Sequence, residues 1–170
     1  MAEEIKRCEA LSDAEKQQLF GWGEDIFGVT SLGLRWRPKD LHFLLYRDGS
    51  AVSHVGLLRH VVRVGGEPVT VGGVGGVVTI PAAQGKGFAR GLLGRAVDFF
   101  GREWGADAGL LFCLGRMVPF YESMGWNVVD PPVLIEQPAG KVASPLPVMA
   151  LPCGGRGWPN GQVELDSLPW

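Results

Sequence analysis

Cysteine is scarce in this chain and poorly spaced for any structural use. Cys8, Cys113 and Cys153 are an odd number with no Cys-x-x-Cys pair, which argues against a disulfide frame and against a zinc site. A charge excess is missing too. Sixteen Lys and Arg against eighteen Asp and Glu leave a net charge of −2, so neither nucleic acid nor an anionic membrane is expected as a partner. No apolar run approaches the roughly 18 residues of a membrane helix. The opening MAEEIKRCEA is acidic and lacks the apolar core of a secretion signal, so the expected location is cytoplasmic. There is no internal repeat and no low-complexity stretch. The 170 residues are expected to form one domain, 1–170, with a sizeable core.

Glycine, by contrast, is plentiful, and its placement is informative. Gly72, Gly73, Gly75 and Gly76 stud an apolar strand that runs to Pro81. Glycine weakens a strand, so it needs a reason: a β-bulge, the close approach of a ligand, or a crowded sheet crossing. The strand is followed by Gln84-Gly85-Lys86-Gly87-Phe88-Ala89 and then by an amphipathic helix. A helix N-terminus offers unpaired N–H donors and the positive end of the macrodipole to an anion. The spacing excludes two familiar loops. Lys86 is followed by Gly87 rather than Ser or Thr, so this is no P-loop. Gly85-Lys86-Gly87 lacks the third glycine of a dinucleotide loop.

The remaining pattern reads as a meander followed by alternating helix and strand. Ile5–Glu9 is a candidate strand. Ser12 caps a helix with Glu15 as its capping-box partner, and Leu11, Leu19, Phe20, Ile26 and Phe27 supply its apolar face. Gly28–Lys39 is irregular. Leu41–Arg47, Ala51–Val64 and Pro68–Ile80 are antiparallel strands turned by Asp48-Gly49 and Gly65-Gly66. A helix runs from about Gly87 to Trp104, with Leu92, Ala96, Phe99, Phe100 and Trp104 on one face. Ala108–Leu114 is a buried strand that carries Cys113 as a core thiol. Val118–Met124 is a short helix ended by Gly125, and Trp126–Val129 is the next strand. The proline-rich tail offers one strand candidate, Pro147–Leu151.

The loop fits Q/R-x-x-G-x-G/A through Gln84, Gly87 and Ala89, and so resembles the pyrophosphate loop of the GNAT acetyltransferases. Val118-Pro119-Phe120-Tyr121-Glu122-Ser123-Met124-Gly125-Trp126 is similar to that family's A-x-x-x-Y-x-x-x-G-[FW] signature, although Arg116 or Met117 stands where Ala or Asn is usual. The resemblance implies an α/β (α+β) GNAT fold: a central mixed, mostly antiparallel sheet with a splayed strand pair, flanked by helices. It implies acetyl-CoA as acyl donor, an amine as acceptor and no metal. The expected phosphate contacts are the N–H groups of Gln84, Gly85, Lys86, Gly87, Phe88 and Ala89, with charge from Lys86 and Arg90. Val77 and Thr79 pair with the pantetheine amides as a strand would, and the Val77 N–H polarises the thioester carbonyl. Tyr121 is the proton donor to the leaving thiolate. No carboxylate stands on the glycine-rich strand to act as general base. His54 and His60 share a face of the second strand; water or a main-chain carbonyl can also serve.

Trp36, His54-Val55-Gly56, the Arg63–Gly66 hairpin and the final Trp170 are similar to features of the aminoglycoside 2′-N-acetyltransferases. His54–Val64 also resembles a nodulation N-acyltransferase. The implied acceptor residues are Trp36, His54 and Trp170, with the Trp170 carboxylate near the amine. Departures stand beside this. Leu168-Pro169 replaces an Asp before the last Trp, Gln137–Pro147 has no acid, and Arg35, Arg37 and Lys39 surround Trp36 with the wrong sign for a polycation. A small-molecule amine of lower charge, an amino sugar included, is the expected acceptor, with a homodimer left open. A non-catalytic acyl-CoA-binding or sensing domain is the alternative.

Overall fold

A computed structural model describes residues 2–170. Strand β1 (Glu3–Cys8) is followed by helix α1 (Asp13–Phe20), then by β2 (Leu41–Arg47), β3 (Ser50–Val64) and β4 (Glu67–Thr79). Helix α2 (Phe88–Arg102) leads to β5 (Ala108–Phe112), α3 (Val118–Glu122) and β6 (Asn127–Val128). The tail adds β7 (Val133–Gln137), β8 (Gly140–Ala143), β9 (Val148–Pro152) and β10 (Val163–Glu164). All ten strands among the described residues join one mixed sheet, flanked by helices, as expected.

The turns explain the meander. Asp48 and Gly49 have φ of 51° and 82°, and Gly65 and Gly66 have 58° and 83°. Two successive left-handed residues match the right-handed twist of a tight hairpin. β2, β3 and β4 therefore pair antiparallel in sequence order. The long β3 also pairs with β10 through Arg63 and Val64. β5 lies parallel to β4, and β9 covers its other edge.

Two expectations need correction, and one open alternative is decided. α1 ends at Phe20, because Gly21 caps it; Ile26 and Phe27 leave the helix and lie in the irregular segment after it. The tail holds four strands beyond β6 rather than one. β10 has two residues and is held by partners distant in sequence, which no local pattern reveals. Finally, the strand glycines are mostly accounted for by packing. A Cβ on Gly72 would lie 2.3 Å from Cγ of Phe100, and one on Gly73 would lie 2.5 Å from Cε2 of Trp170. At Gly75 it would meet Cε of Lys39 at 2.4 Å. Only Gly76 is needed for its conformation, with φ of +60° at a bulge.

The capping box forms as read. Ser12 Oγ accepts from the Glu15 N–H at 3.1 Å, and the Ser12 N–H donates to Glu15 Oε1 at 2.8 Å. Glu15 is buried at 1% exposure. Burial alone would raise its pKa. Hydrogen bonds from Lys6 Nζ at 2.8 Å, the Tyr46 hydroxyl at 2.5 Å and Ser12 N–H outweigh that and hold it at about 2.

Two outcomes follow. A carboxyl depressed in the folded state stabilises fully above its unfolded pKa and loses that contribution as pH falls through the folded value. Stability should therefore decline between about pH 4.5 and pH 2. Glu15→Gln should flatten that decline in acid melting curves and cost about 1–3 kcal/mol at neutral pH. Gly73→Ala should cost about 1–3 kcal/mol by overpacking and shift the Trp170 emission; an unchanged melting temperature would contradict the packing account.

Candidate functional site

The site begins where two strands part. β4 pairs with β5 only from Val71 with Ala108 to Val74 with Leu111. Beyond Val74 the two separate, while β4 stays paired with β3 as far as Thr79. Gly76 and Val77 lie opposite the single residue Val55, a bulge that increases local twist. The Gly76 carbonyl accepts from His54 Nδ1 at 2.6 Å, and His54 Nε2 meets His42 Nδ1 at 2.8 Å. A carbonyl can only accept, so His54 carries its proton on Nδ1, and its Nε2 accepts a hydrogen bond from His42 Nδ1–H. Burial pushes the His54 pKa down to about 4, in keeping with a neutral ring.

The parting leaves one edge of β4 without a strand partner. Ile80 donates its amide to Val52 O on the β3 side at 2.9 Å. By strand alternation the Val77 and Thr79 amides turn to the open side. Two connected hollows occupy this opening. The inner one, about 360 Å³, is walled by Val77, Tyr121, Trp36, Trp170 and Phe112, with Lys39 reaching into it. The outer one, about 470 Å³, lies over Gly85, Gly87, Ala89 and Arg90. Ile26, Phe27, Val77, Arg116 and Met117 line both, so the two make a continuous groove.

The outer end is built for an anion. Gly85 and Gly87 are left-handed, with φ of +78° and +80°, and Gly87 starts α2 with no side-chain cap. The first helical bond is from Gly91 N to Gly87 O, so the amides of Phe88, Ala89 and Arg90 are left for a ligand. Two residues expected here do otherwise. Gln84 gives its N–H to Pro81 O at 3.3 Å and its side-chain amide to Thr79 O at 3.0 Å; it shapes the loop. Lys86 is exposed and is not on the groove wall. Arg90 is tied to Ser123 Oγ at 2.9 Å and lies 5.5 Å over the Phe120 ring, which links α2 to α3.

Tyr121 is buried at 5% exposure, and its hydroxyl makes no hydrogen bond among the described residues. Met124 N and Trp126 N both bond its carbonyl, while Gly125 turns with φ of +93°. That turn holds the tyrosine on the groove side of α3. Burial raises its pKa, as does neighbouring Cys113, so the phenol keeps its proton. Cys113 also lines the inner hollow, and burial pushes its thiol up to about 11.

The inner wall is aromatic. Trp36 meets Phe112 edge-on at 6.5 Å, and Phe112 meets Trp170 at 5.8 Å. Trp170 is 2% exposed and donates its indole N–H to Leu110 O at 3.0 Å. It therefore fills the core and also bounds the hollow. His54, expected beside the acceptor, is 2% exposed behind β4 and does not reach the hollow; its hydrogen bond to Gly76 is what the bulge requires. Sequence reasoning missed Phe112, Lys39 and Arg116. The basic cluster around Trp36 was the signal for Lys39. Of that cluster, Arg37 bonds His60 at 3.0 Å and Ser167 at 3.3 Å, and the Arg35 main chain pairs with the Gln137 amide. Lys39 alone turns inward, and burial lowers its pKa to about 8.

Among the described residues no group of three or more His, Cys, Asp or Glu side chains could hold a metal ion, and no helix is long and apolar enough to cross a membrane. No curated protein matches the chain. Among solved structures, it is similar to an acyl-CoA N-acyltransferase from Pseudomonas aeruginosa: 18% identity, TM-score 0.58, 88% of this chain and 99% of that one. A GNAT family N-acetyltransferase from Escherichia coli, solved with CoA, matches at 20% identity and TM-score 0.59, over 98% of this chain and 92% of that one. A GNAT family acetyltransferase from Brucella melitensis, solved with acetyl-CoA, matches at 17% identity and TM-score 0.52, over 94% of each. At these identities the likeness speaks for the fold. The family model for the GNAT acetyltransferase domain matches residues 34–129, more than half of the chain and the whole span from β2 to β6. The chain belongs to the GNAT acetyltransferase family and is an acyl-CoA-dependent N-acyltransferase.

Proposed function

We propose that residues 1–170 form a single catalytic domain that moves an acetyl group from acetyl-CoA to a primary amine of a small molecule by direct attack. The observation that carries this is the continuous groove. It joins the orphan amides of α2 to a hollow bounded by Val77 and Tyr121. When bound, acetyl-CoA supplies a thioester. Phe88, Ala89 and Arg90 hold its phosphates through their amides, and Val77 and Thr79 offer the open β4 edge to its pantetheine arm. The Val77 N–H polarises the carbonyl.

Tyr121 deals with the leaving sulfur. Burial at this spot pushes the neighbouring Cys113 thiol to about 11, so a thiolate released here is basic and needs a proton. The Tyr121 hydroxyl has one to give and no competing partner among the described residues. The attacking amine must be neutral and loses a proton as the C–N bond forms; water or a main-chain carbonyl can take it, since His54 stands behind β4. The aromatic wall of Trp36, Phe112 and Trp170 suits a sugar ring or an apolar body. An aminoglycoside is the poorer fit, because among the described residues no carboxylate side chain lines the hollow, whereas Lys39 and Arg116 do.

Acetyl-CoA at 100 times its dissociation constant should stabilise the protein by roughly 2.7 kcal/mol, seen as a rise in melting temperature that ATP and NAD do not produce. Gly87→Asp should abolish it, by meeting the pyrophosphate with a carboxylate. A shift with ATP and none with acetyl-CoA would overturn the assignment of the loop. Tyr121→Phe should lower kcat by about 10² to 10⁴ and leave coenzyme affinity nearly unchanged, the pattern of a group needed only in the transition state. Equal loss of coenzyme affinity would make Tyr121 a packing residue.

A further inference from the structure

Strand β1 has an open side. Among the described residues its strand partner is β2 alone. Asp48 N donates to Ala2 O at 3.1 Å, so Ala2 and Asp48 form a hydrogen-bonded pair at the start of the ladder. Antiparallel pairing alternates from there. Glu4, Lys6 and Cys8 turn their backbone groups to β2, and Glu3, Ile5 and Arg7 turn theirs outward. Among the described residues no backbone group bonds that outward row. Glu3 to Arg7 are exposed, and Ile5 is an exposed apolar side chain at 40%. A row of unpaired N–H and C=O groups is a template for another strand.

The side chains divide between two faces. Lys6 points toward α1, where its Nζ meets Glu15 Oε2 at 2.8 Å, and Glu4 shares that face by alternation. Glu3, Ile5 and Arg7 line a hollow of about 650 Å³ against α2, floored by Phe43, Leu45 and Phe99. Arg7 lies 5.2 Å over the Phe99 ring. The coenzyme groove has no β1 residue on its walls.

The order of these residues says which strand fits the edge. Glu3-Glu4-Ile5-Lys6-Arg7 reads acid, acid, apolar, base, base. Turned end for end, it is its own complement. Hydrogen bonding admits only registers in which outward residues face outward residues. Centred on Ile5, the two copies set Ile5 against Ile5, Glu3 against Arg7 and Glu4 against Lys6, each twice. Centred on Glu4 they set Glu4 against Glu4, and centred on Lys6 they set Lys6 against Lys6. Like charges directly opposite destabilise a strand pair, and opposite charges stabilise it. A uniformly acidic or basic strand would meet its own sign over half of β1. The charges that keep other strands off this edge therefore leave one pairing open.

We propose that β1 is a self-association edge, on which two copies of the chain pair antiparallel about a two-fold axis at Ile5. The interface is isologous and runs one sheet into the other, with the coenzyme grooves left open. A single short strand pair is small beside a standard interface, so the dimer is concentration-dependent and weakened by salt.

The test is sedimentation of the full chain at low salt. From roughly 10 µM to 1 mM the wild type should pass from monomer to dimer. Glu3→Arg sets Arg against Arg at both ends of the pairing, and Arg7→Glu sets Glu against Glu. Each alone should weaken dimerisation by about tenfold. An equal mixture of the two variants should restore it, as should the double variant Glu3→Arg/Arg7→Glu, because every pair again carries opposite signs. Lys6 is spared because it holds Glu15. Amide exchange reads the register: Glu3, Ile5 and Arg7 should gain protection as concentration rises, while Glu4 and Lys6 are protected in the monomer. Melting curves show that each variant is folded. A wild type that stays monomeric overturns the proposal. So does a dimer that both single variants leave unchanged, or one that folded mixture and double variant fail to restore. None of these outcomes touches the transferase reading, which rests on the groove.

Discussion

Everything in this site depends on the parting of β4 from β5 after Val74. A parallel pair that stayed zipped would bury the Val77 and Thr79 amides in a ladder. The parting has a local cause. Gly76 adopts a left-handed conformation, and its carbonyl turns to the buried His54 side chain at 2.6 Å. One hydrogen bond to a side chain replaces one in the ladder, so the backbone is satisfied while the strand bends. His42 then fixes the ring of His54. The bulge is thus held from behind, by a polar pair that the ligand side does not see.

The charges divide along the groove. At the outer end the positive field comes from backbone amides and the helix terminus, with Arg116 beside them. At the inner end Lys39 stands among mainly apolar side chains, with the Trp170 main-chain carboxyl group beside it. Between them stand Tyr121 and Cys113, both pushed toward their protonated forms by burial. The arrangement disfavours free thiolate in the inner hollow, and that is where a proton donor is most useful. Electrostatics here follow from desolvation more than from ion pairs.

Much of this was legible in the sequence, and the misses have physical reasons. The hairpins were readable because Asp48-Gly49 and Gly65-Gly66 permit few other turns. α2 was readable because its apolar face repeats at helical spacing. The loop and the tyrosine signature identified the family. β7, β8 and β10 were not readable, because their pairing is decided by distant strands rather than by local alternation. Gln84 was misread because its amide and side chain serve the loop's own 3₁₀ turn. His54 was misread because its partner, the Gly76 carbonyl, exists only once the bulge forms. Lys39 was visible as part of a basic cluster, but contacts with Gln137, His60 and Ser167 decide which of three cations faces inward.

The most direct test of the account is amide hydrogen exchange with and without acetyl-CoA. The free protein should exchange readily at Val77 and Thr79, because those amides lack a strand partner, and slowly at Val78, which is paired to β3. Acetyl-CoA should protect Val77 and Thr79 together with Phe88, Ala89 and Arg90. Protection confined to other strands, or Val77 and Thr79 already protected without ligand, would contradict the open edge on which the account rests.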